Sequence, residues 1–366
     1  MPRDGTTSQR TMGLFAATGV GVGAIVGGGV LALAGVAFAI TGPSAIIAFA
    51  LNGAIAMLTA MSFAALASRF PESGGTYAYA RKILTVEAAF AVGWVVWFAS
   101  VVAAVLYALG FAVFLVPVAE QVILAAGGTP PEWLDSRFAM LLYALAAVAF
   151  YTWKLMRSNA GGGRIETIGK VIVFAVVIAG GFWVLLAHPP GLDELSSRFR
   201  PFMAEGGQGL VQAMGYTFIA LQGFDLIAAV GGEVKQPERN IPRAMILSLT
   251  AALVIYIPLL FLIVAVGTPG QSVVDAAAAD PEILIAVAAR NFLGPTGYWL
   301  VVVAGLLSML SALQANLLAA SRFARTMAGD RTLPRRFDRL APGSVTPIPA
   351  IQLTAVTVTA VLVAVP

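Results

Sequence analysis

The sequence predicts an all-α, polytopic membrane protein, and two observations carry this prediction. Hydrophobic residues make up 59% of the 366-residue chain and charged residues 11%, against about 45–50% and about 25% in ordinary globular proteins. Residues 298–321 contain no charge at all, and about 20 apolar residues suffice to cross a bilayer as a helix. With so little charge to face water, the chain is neither a soluble enzyme nor a nucleic-acid-binding protein.

Nine apolar spans follow from the hydropathy pattern. They are residues 12–39, 43–67, 86–117, 138–153, 165–187, 210–230, 244–266, 296–320 and 348–365. Residues 283–292, between the seventh and eighth spans, predict a short helix lying on the outer face.

The distribution of basic residues between alternate loops predicts the orientation. One set of loops, together with the N-terminus, holds 17 lysines and arginines, and the opposite set holds four. Because cytoplasmic loops are enriched in Lys and Arg, the N-terminus is predicted to lie in the cytoplasm. The expected location is the cytoplasmic membrane, with the chain crossing it many times.

The residues that hold most metals and cofactors are scarce. The chain has no cysteine and one histidine, His188, which precedes two prolines in a loop. Thiolate metal sites, disulfides and iron–sulfur clusters are excluded without cysteine. We therefore expect no metal and no cofactor.

The first span contains an unusual run of glycines, GVGVGAIVGGG over residues 19–29. Each glycine destabilises a helix by about 1 kcal/mol relative to alanine, so Gly27–Gly29 predict an opening of the helix near mid-membrane. Exposed backbone at that depth is tolerated only inside protein or beside a watery cavity. The alternative is close helix packing through Gly19, Gly23 and Gly27, which are spaced four apart.

The sixth span is interrupted in a similar way. Gln222, Gly223 and Asp225 break its apolar run, and Asp225 lies eight residues before Glu233, about 12 Å along a helix. A carboxylate at that depth needs a partner or a proton. Two roles stay open for Asp225, namely capping the following half-helix and binding a ligand or proton directly.

Interrupted helices five spans apart predict an inverted-repeat transporter with a central site. The open end of one half-helix offers N–H groups to a carboxylate, and the open end of the other offers carbonyls to an ammonium. An amino acid carries both groups, so these breaks suit it as a solute.

Four motifs then resemble the amino acid–polyamine–organocation permeases. They are GVGAIVGGGVL at 21–31, FPESGGTYAY at 70–79, GFDLIAAVGGEVKQPERNIPRAM at 223–245 and SRFARTMAGDRTLP at 321–334. They occur in the family's order from the first span to the eighth, and the third is the most specific.

The resemblance implies a five-plus-five inverted repeat, the leucine-transporter fold, with discontinuous helices 1 and 6. One permease domain over 1–366 would contain a first repeat at 12–187 and a second at 207–366. The repeat requires ten helices and this chain ends in the ninth, so we expect either a fragment of a longer protein or a truncated one.

The resemblance also assigns the substrate-binding residues by position, with Phe218 or Ile219 as an apolar gate. The binding residues are Ala24, Ile25, Val26, Gly27, Gly28 and Gly29 in helix 1, and Phe218, Ile219, Ala220, Leu221 and Gln222 in helix 6.

Lys170 is a cation inside the fifth span, six residues after Arg164. Its side chain can extend to the cytoplasmic surface or turn inward to the broken carbonyls of helix 1. The resemblance favours the inward orientation, since sodium-independent family members carry a lysine at the matching place. A lysine confined among apolar groups can release its proton, so we predict proton-coupled or exchange transport, independent of sodium.

A charged cluster after the sixth span predicts an inward gate. Glu233 and Arg239 belong to it, and Arg69, Arg81 or Lys82 are the expected partners across the gate. The alternative is a solvated loop without a gating role.

The predicted function is a secondary permease for amino acids or related amines, working by alternating access as an antiporter or proton symporter, and not an enzyme. A polyamine or organocation carrier that uses Asp225 is the alternative within transport. A non-transporting sensor or a membrane-embedded enzyme is the alternative from another class.

Overall fold

The computed structural model describes residues 10–26, 28–70, 74–157, 164–341 and 346–364. These residues form helices joined by short loops. The α-helices are α1 (Leu14–Ile25), α2 (Gly28–Thr41), α3 (Ala45–Arg69), α4 (Gly75–Ile83), α5 (Val86–Ala125), α6 (Arg137–Arg157), α7 (Arg164–Ala187), α8 (Leu192–Arg198), α9 (Gly206–Thr217), α10 (Leu226–Ala229), α11 (Pro237–Leu262), α12 (Val273–Ala279), α13 (Leu284–Gly329) and α14 (Ile348–Ala364).

The all-α polytopic fold is confirmed. Seven helical stretches of the described chain are long and apolar enough to cross a membrane. The first of them, Leu14–Arg69, contains two of the predicted spans, and Ile348–Ala364 is a shorter apolar helix that matches the ninth.

Helices α5 and α13 extend further than the hydropathy pattern predicts. Helix α5 continues through Pro117 to Ala125, because a proline inside a membrane helix removes only one hydrogen bond and its neighbours can absorb the change. Helix α13 joins the predicted outer helix to the eighth span across Gly294, whose φ of 67° and ψ of −160° turn the chain sharply. The short outer helix predicted at 283–292 is therefore present as the first part of α13.

The first span packs against helices from both halves of the sequence. Helix α1 packs on α11, α13 and α7, whereas α2 packs on α9 and α12, and α13 also packs along α5. We call the end of the bundle that carries Arg69, Arg157 and Arg239 the basic end. The division into repeats at 12–187 and 207–366 stays a prediction.

Candidate functional site

The first span is divided into two half-helices, as predicted. Helix α1 ends at Ile25, Val26 is extended with a ψ of 119°, and α2 begins at Gly28. Gly27, one of the predicted binding residues, lies outside the described residues. The end of a helix leaves backbone carbonyls without helical partners, and side chains of other helices take two of them in this break.

Lys170 supplies the first of these side chains. It is fully buried, and its Nζ donates to the carbonyl of Gly23 at 2.9 Å and to Ser311 Oγ at 2.8 Å. Ser311 Oγ in turn lies 3.0 Å from the same carbonyl. The inward orientation of Lys170 is confirmed, and extension to the surface is wrong, because a buried cation is stabilised by such oxygen partners.

Tyr256 of α11 supplies the second, and the sequence reasoning missed it. The side chain is buried, and its hydroxyl donates to the carbonyl of Ile25 at 2.5 Å and lies 3.4 Å from that of Ala220. One hydroxyl therefore connects the breaks of both interrupted helices. The signal that could have found it is a phenol in the middle of an apolar span, where it needs a partner.

The sixth span is interrupted where the sequence predicts. Helix α9 ends at Thr217, a 3₁₀ turn covers Phe218–Leu221, and Gln222 is extended with a ψ of 152°. Gly223 has a φ of 128°, a conformation that side chains disfavour. The chain then resumes as the short helix α10, so this break spans more residues than the first.

Asp225 stands at the N-terminal boundary of α10 but does not cap it. Its carboxylate makes no capping hydrogen bond to that helix and instead accepts from the backbone N–H of Gly223 at 3.2 Å. Of the two roles left open for Asp225, capping therefore lacks its hydrogen bond, because the carboxylate turns back to Gly223; binding of a ligand or proton stays a prediction.

The two breaks lie against each other. A methyl group added at Gly29 would collide with the backbone of Ala220, and one added at Gly223 would come within 2.8 Å of Ala24 Cβ. The ring of Tyr107 covers Gly28 closely enough that an added methyl would lie 2.6 Å from it. These glycines permit a contact between half-helices that any larger residue would prevent.

A cleft of about 540 Å³ opens beside this contact. Six predicted site residues line it: Ala24, Phe218, Ile219, Leu221, Gln222 and Asp225. Tyr107, Ser100 and Asn316 add polar groups from α5 and α13. The other described residues of the predicted site do not line this cleft and are buried in the structure: Ile25, Val26, Gly28, Gly29, Ala220 and Lys170. Binding by any of them stays a prediction.

The basic end is closed by contacts that differ from the predicted gate. Glu233 pairs with Arg322 of α13 at 2.8 Å, with both side chains buried, and not with the expected Arg69, Arg81 or Lys82. Arg81 instead lies 3.8 Å from Asp330.

Met12, two residues before α1, joins the same closure through its backbone. The N–H of Met12 donates to the carbonyl of Glu233 at 2.9 Å, and the N–H of Lys235 donates to the carbonyl of Met12 at 2.7 Å. Arg239 is exposed and forms no ion pair within the described part of the chain. Its predicted part in the gate therefore has no contact to support it, whereas Glu233 occupies the centre of the closure.

Comparison with known proteins identifies the family. The family model described as "Amino acid permease" matches residues 12–366. The chain belongs to the amino acid permease family. This permease is therefore a multi-pass membrane transporter with a small-molecule substrate, and it is not an enzyme.

Named relatives of the permease differ in what they carry. It is 29% identical to an inner membrane transport protein of Escherichia coli K12, over 93% of this chain and 74% of the relative. It is 27% identical to the vacuolar cationic amino acid transporter 2 of Arabidopsis thaliana, over 92% and 52%. It is 26% identical to the methylthioribose transporter of Bacillus subtilis, over 95% and 73%.

Proposed function

We propose that this permease moves amino acids or related amines across the cytoplasmic membrane by alternating access. In this proposal transport is proton-coupled or proceeds by exchange, and sodium is not required. The N-terminus lies in the cytoplasm, as the excess of Lys and Arg at the basic end supports. Two repeats, residues 12–187 and 207–366, move relative to each other around the paired breaks.

The hydrogen bond from Lys170 to the Gly23 carbonyl carries this proposal. A sodium ion bound at the open end of α1 would need oxygen ligands there. The ammonium of Lys170 already donates to that carbonyl at 2.9 Å and to Ser311 at 2.8 Å. A protein cation thus occupies the position where a coupling cation would bind, and it can change its charge by losing a proton.

The substrate groups follow from the same geometry. The first turn of α2 presents unpaired N–H groups, which stabilise a carboxylate. The carbonyls of the helix 6 break and the carboxylate of Asp225 provide the acceptors for an amine. The relatives named for cationic amino acids and for methylthioribose show that the family model alone does not fix the solute.

The test has two stages. A thermal-shift screen of the purified permease against the twenty standard amino acids and common amines finds ligands, because a solute that binds only the folded state raises the melting temperature. Uptake of the best ligand into proteoliposomes is then measured with and without sodium and with and without an inward proton gradient. Strict dependence on sodium, or unchanged transport by Lys170→Ala, contradicts the proposal.

A polyamine or organocation carrier is the second candidate, and Asp225 favours it. The carboxylate of Asp225 is half-buried and lines the cleft. Among the described residues that line the cleft, no other side chain is acidic. A dication requires this negative charge more than a zwitterion does. Asp225→Asn should abolish binding of putrescine or spermidine if the carrier takes polyamines, whereas binding of a neutral amino acid should persist.

A further inference from the structure

A second group of charged side chains lies between Lys170 and the basic end, and the proposed function has not used it. Glu166 of α7 accepts from Lys154 Nζ and from Tyr151 OH, each at 3.0 Å. Lys154 Nζ also lies 3.4 Å from Gln314 Oε1 of α13. This cluster joins three helices: α6, α7 and α13.

The cluster is one helical turn from the Lys170 site on two helices at once. On α7, Glu166 precedes Lys170 by four residues, and on α13, Ser311 precedes Gln314 by three. Residues at these spacings lie on the same face about one turn apart. Lys170 and Ser311 therefore meet at the Gly23 carbonyl, and Glu166 and Gln314 meet at Lys154.

Exposure differs sharply between these two levels. The side chains of Lys154 and Glu166 are 33% and 16% exposed, whereas Lys170 is fully buried and Ser311 is 2% exposed. The Glu166 level, which is nearer the basic end, therefore has accessible surface, whereas Lys170 has none. A proton that moves between water on this side and Lys170 has to pass the Glu166 level.

The elements packed against α7 offer few other groups for this transfer. Helix α1 has no ionisable residue, and Tyr256 of α11 already donates to Ile25. On α13 the nearest charge along the chain is Arg322, which is paired with Glu233. Within the described residues, Glu166 is the acidic side chain that lies one helical turn from Lys170. Its carboxylate accepts hydrogen bonds from Lys154 and Tyr151.

We infer that Glu166 is the residue through which Lys170 exchanges its proton with water at the basic end. A hydronium ion at the basic end protonates the Glu166 carboxylate and leaves as water, and the carboxylic acid then gives this proton to the neutral amine of Lys170. The products are a carboxylate and an ammonium, and the reverse transfer returns the proton to water. The inference rests on the proposed function, because it presupposes that Lys170 changes charge during transport.

Two assays on the same proteoliposomes separate proton coupling from transport. Vesicles containing the dye pyranine receive the mixture of the twenty standard amino acids, and internal acidification measures proton entry. Counterflow of the same mixture in tritiated form measures exchange of solute without net proton movement. Wild-type permease should show both signals.

Glu166→Gln keeps the size and a hydrogen-bonding group but cannot carry the proton. We expect acidification to slow by at least about tenfold, since a positioned acid or base commonly contributes about 10²–10⁴, with counterflow within about twofold. Glu166→Asp should restore part of the acidification rate.

Matched variants distinguish the relay from a purely structural ion pair. Lys154→Gln and Tyr151→Phe each remove one partner of Glu166 while keeping its carboxylate, so both should retain acidification. If they lose it as fully as Glu166→Gln does, the pair is only structural and the inference is wrong. Unchanged acidification in Glu166→Gln overturns it as well.

The controls also separate failure of the inference from failure of the proposed function. Wild-type counterflow without acidification overturns the proton route alone and leaves an exchanger. Absence of both signals in wild type overturns the proposed function, and the proton route with it. Should Glu166→Gln fail to fold, Lys154→Gln still decides, since its loss of acidification contradicts the relay.

Discussion

Removal of the Tyr256 hydroxyl tests whether the two breaks work as one unit. Tyr256→Phe keeps the buried ring and deletes the group that donates to the Ile25 carbonyl and lies 3.4 Å from that of Ala220. A buried carbonyl that loses its donor costs about 1–3 kcal/mol. If the break is ordered only with this bond, the binding-competent population falls by about 5- to 150-fold, and the apparent Kd rises by the same factor.

The assay compares ligand binding with stability in the same preparation. Isothermal titration with the best ligand from the thermal-shift screen gives Kd, and the melting temperature without ligand reports the fold. Tyr216→Phe is the matched control, because Tyr216 of α9 is 49% exposed and its hydroxyl forms no hydrogen bond to either break among the described residues. A wild-type Kd and a wild-type melting temperature in Tyr256→Phe would refute the reasoning. A lower melting temperature with an unchanged Kd would show that the Tyr256 hydroxyl stabilises the fold without affecting ligand binding.

Two further predictions concern the packing of the breaks and the closure at the basic end. Gly29→Val should unfold the permease or lower its melting temperature strongly, because the added carbons collide with Ala220. Gly19→Ala in α1 meets nothing within 4 Å and should melt at or slightly above the wild-type temperature, because alanine favours a helix over glycine. A wild-type melting temperature in Gly29→Val would contradict the packing. Arg322→Met should destabilise the folded permease by about 3–5 kcal/mol, because it leaves the buried Glu233 carboxylate unpaired. Adding Glu233→Gln to the same chain should restore part of the lost melting temperature. If the two losses simply add, the pair is not coupled.

The sequence predicted the two breaks because their causes are local. The glycine run and the Gly223–Asp225 interruption weaken a helix wherever they occur, and hydropathy sets the length of a span. Neither property fixes which side chain of a distant helix reaches a carbonyl. Lys170 could be placed inside its span but not oriented, and Tyr256 was not recognised, because both depend on how α7 and α11 rotate against α1.

The partner of Glu233 shows the same limit at the basic end. Charge and loop position made Arg69, Arg81 and Lys82 equal candidates for the partner of Glu233. The sequence does not show that α13 packs near Glu233. The structure places Arg322 in α13, two residues beyond the predicted end of the eighth span, where it pairs with Glu233. The pair was missed because the rotation of α13 against the loop after the sixth span cannot be derived from the sequence.

The arrangement of the first break makes its two ends unequal. Lys170 and Ser311 take the Gly23 carbonyl, and Tyr256 takes that of Ile25, so two carbonyls at the end of α1 already have protein donors. Among the described residues, no side chain accepts a hydrogen bond from the N–H groups at the start of α2. A solute would then meet donors at helix 1 and find its acceptors at helix 6, which places its carboxylate toward α2 and its amine toward the break that Asp225 borders. The same asymmetry is what the proposed sodium-independent transport requires, because the Lys170 side chain already donates to the Gly23 carbonyl at the end of α1.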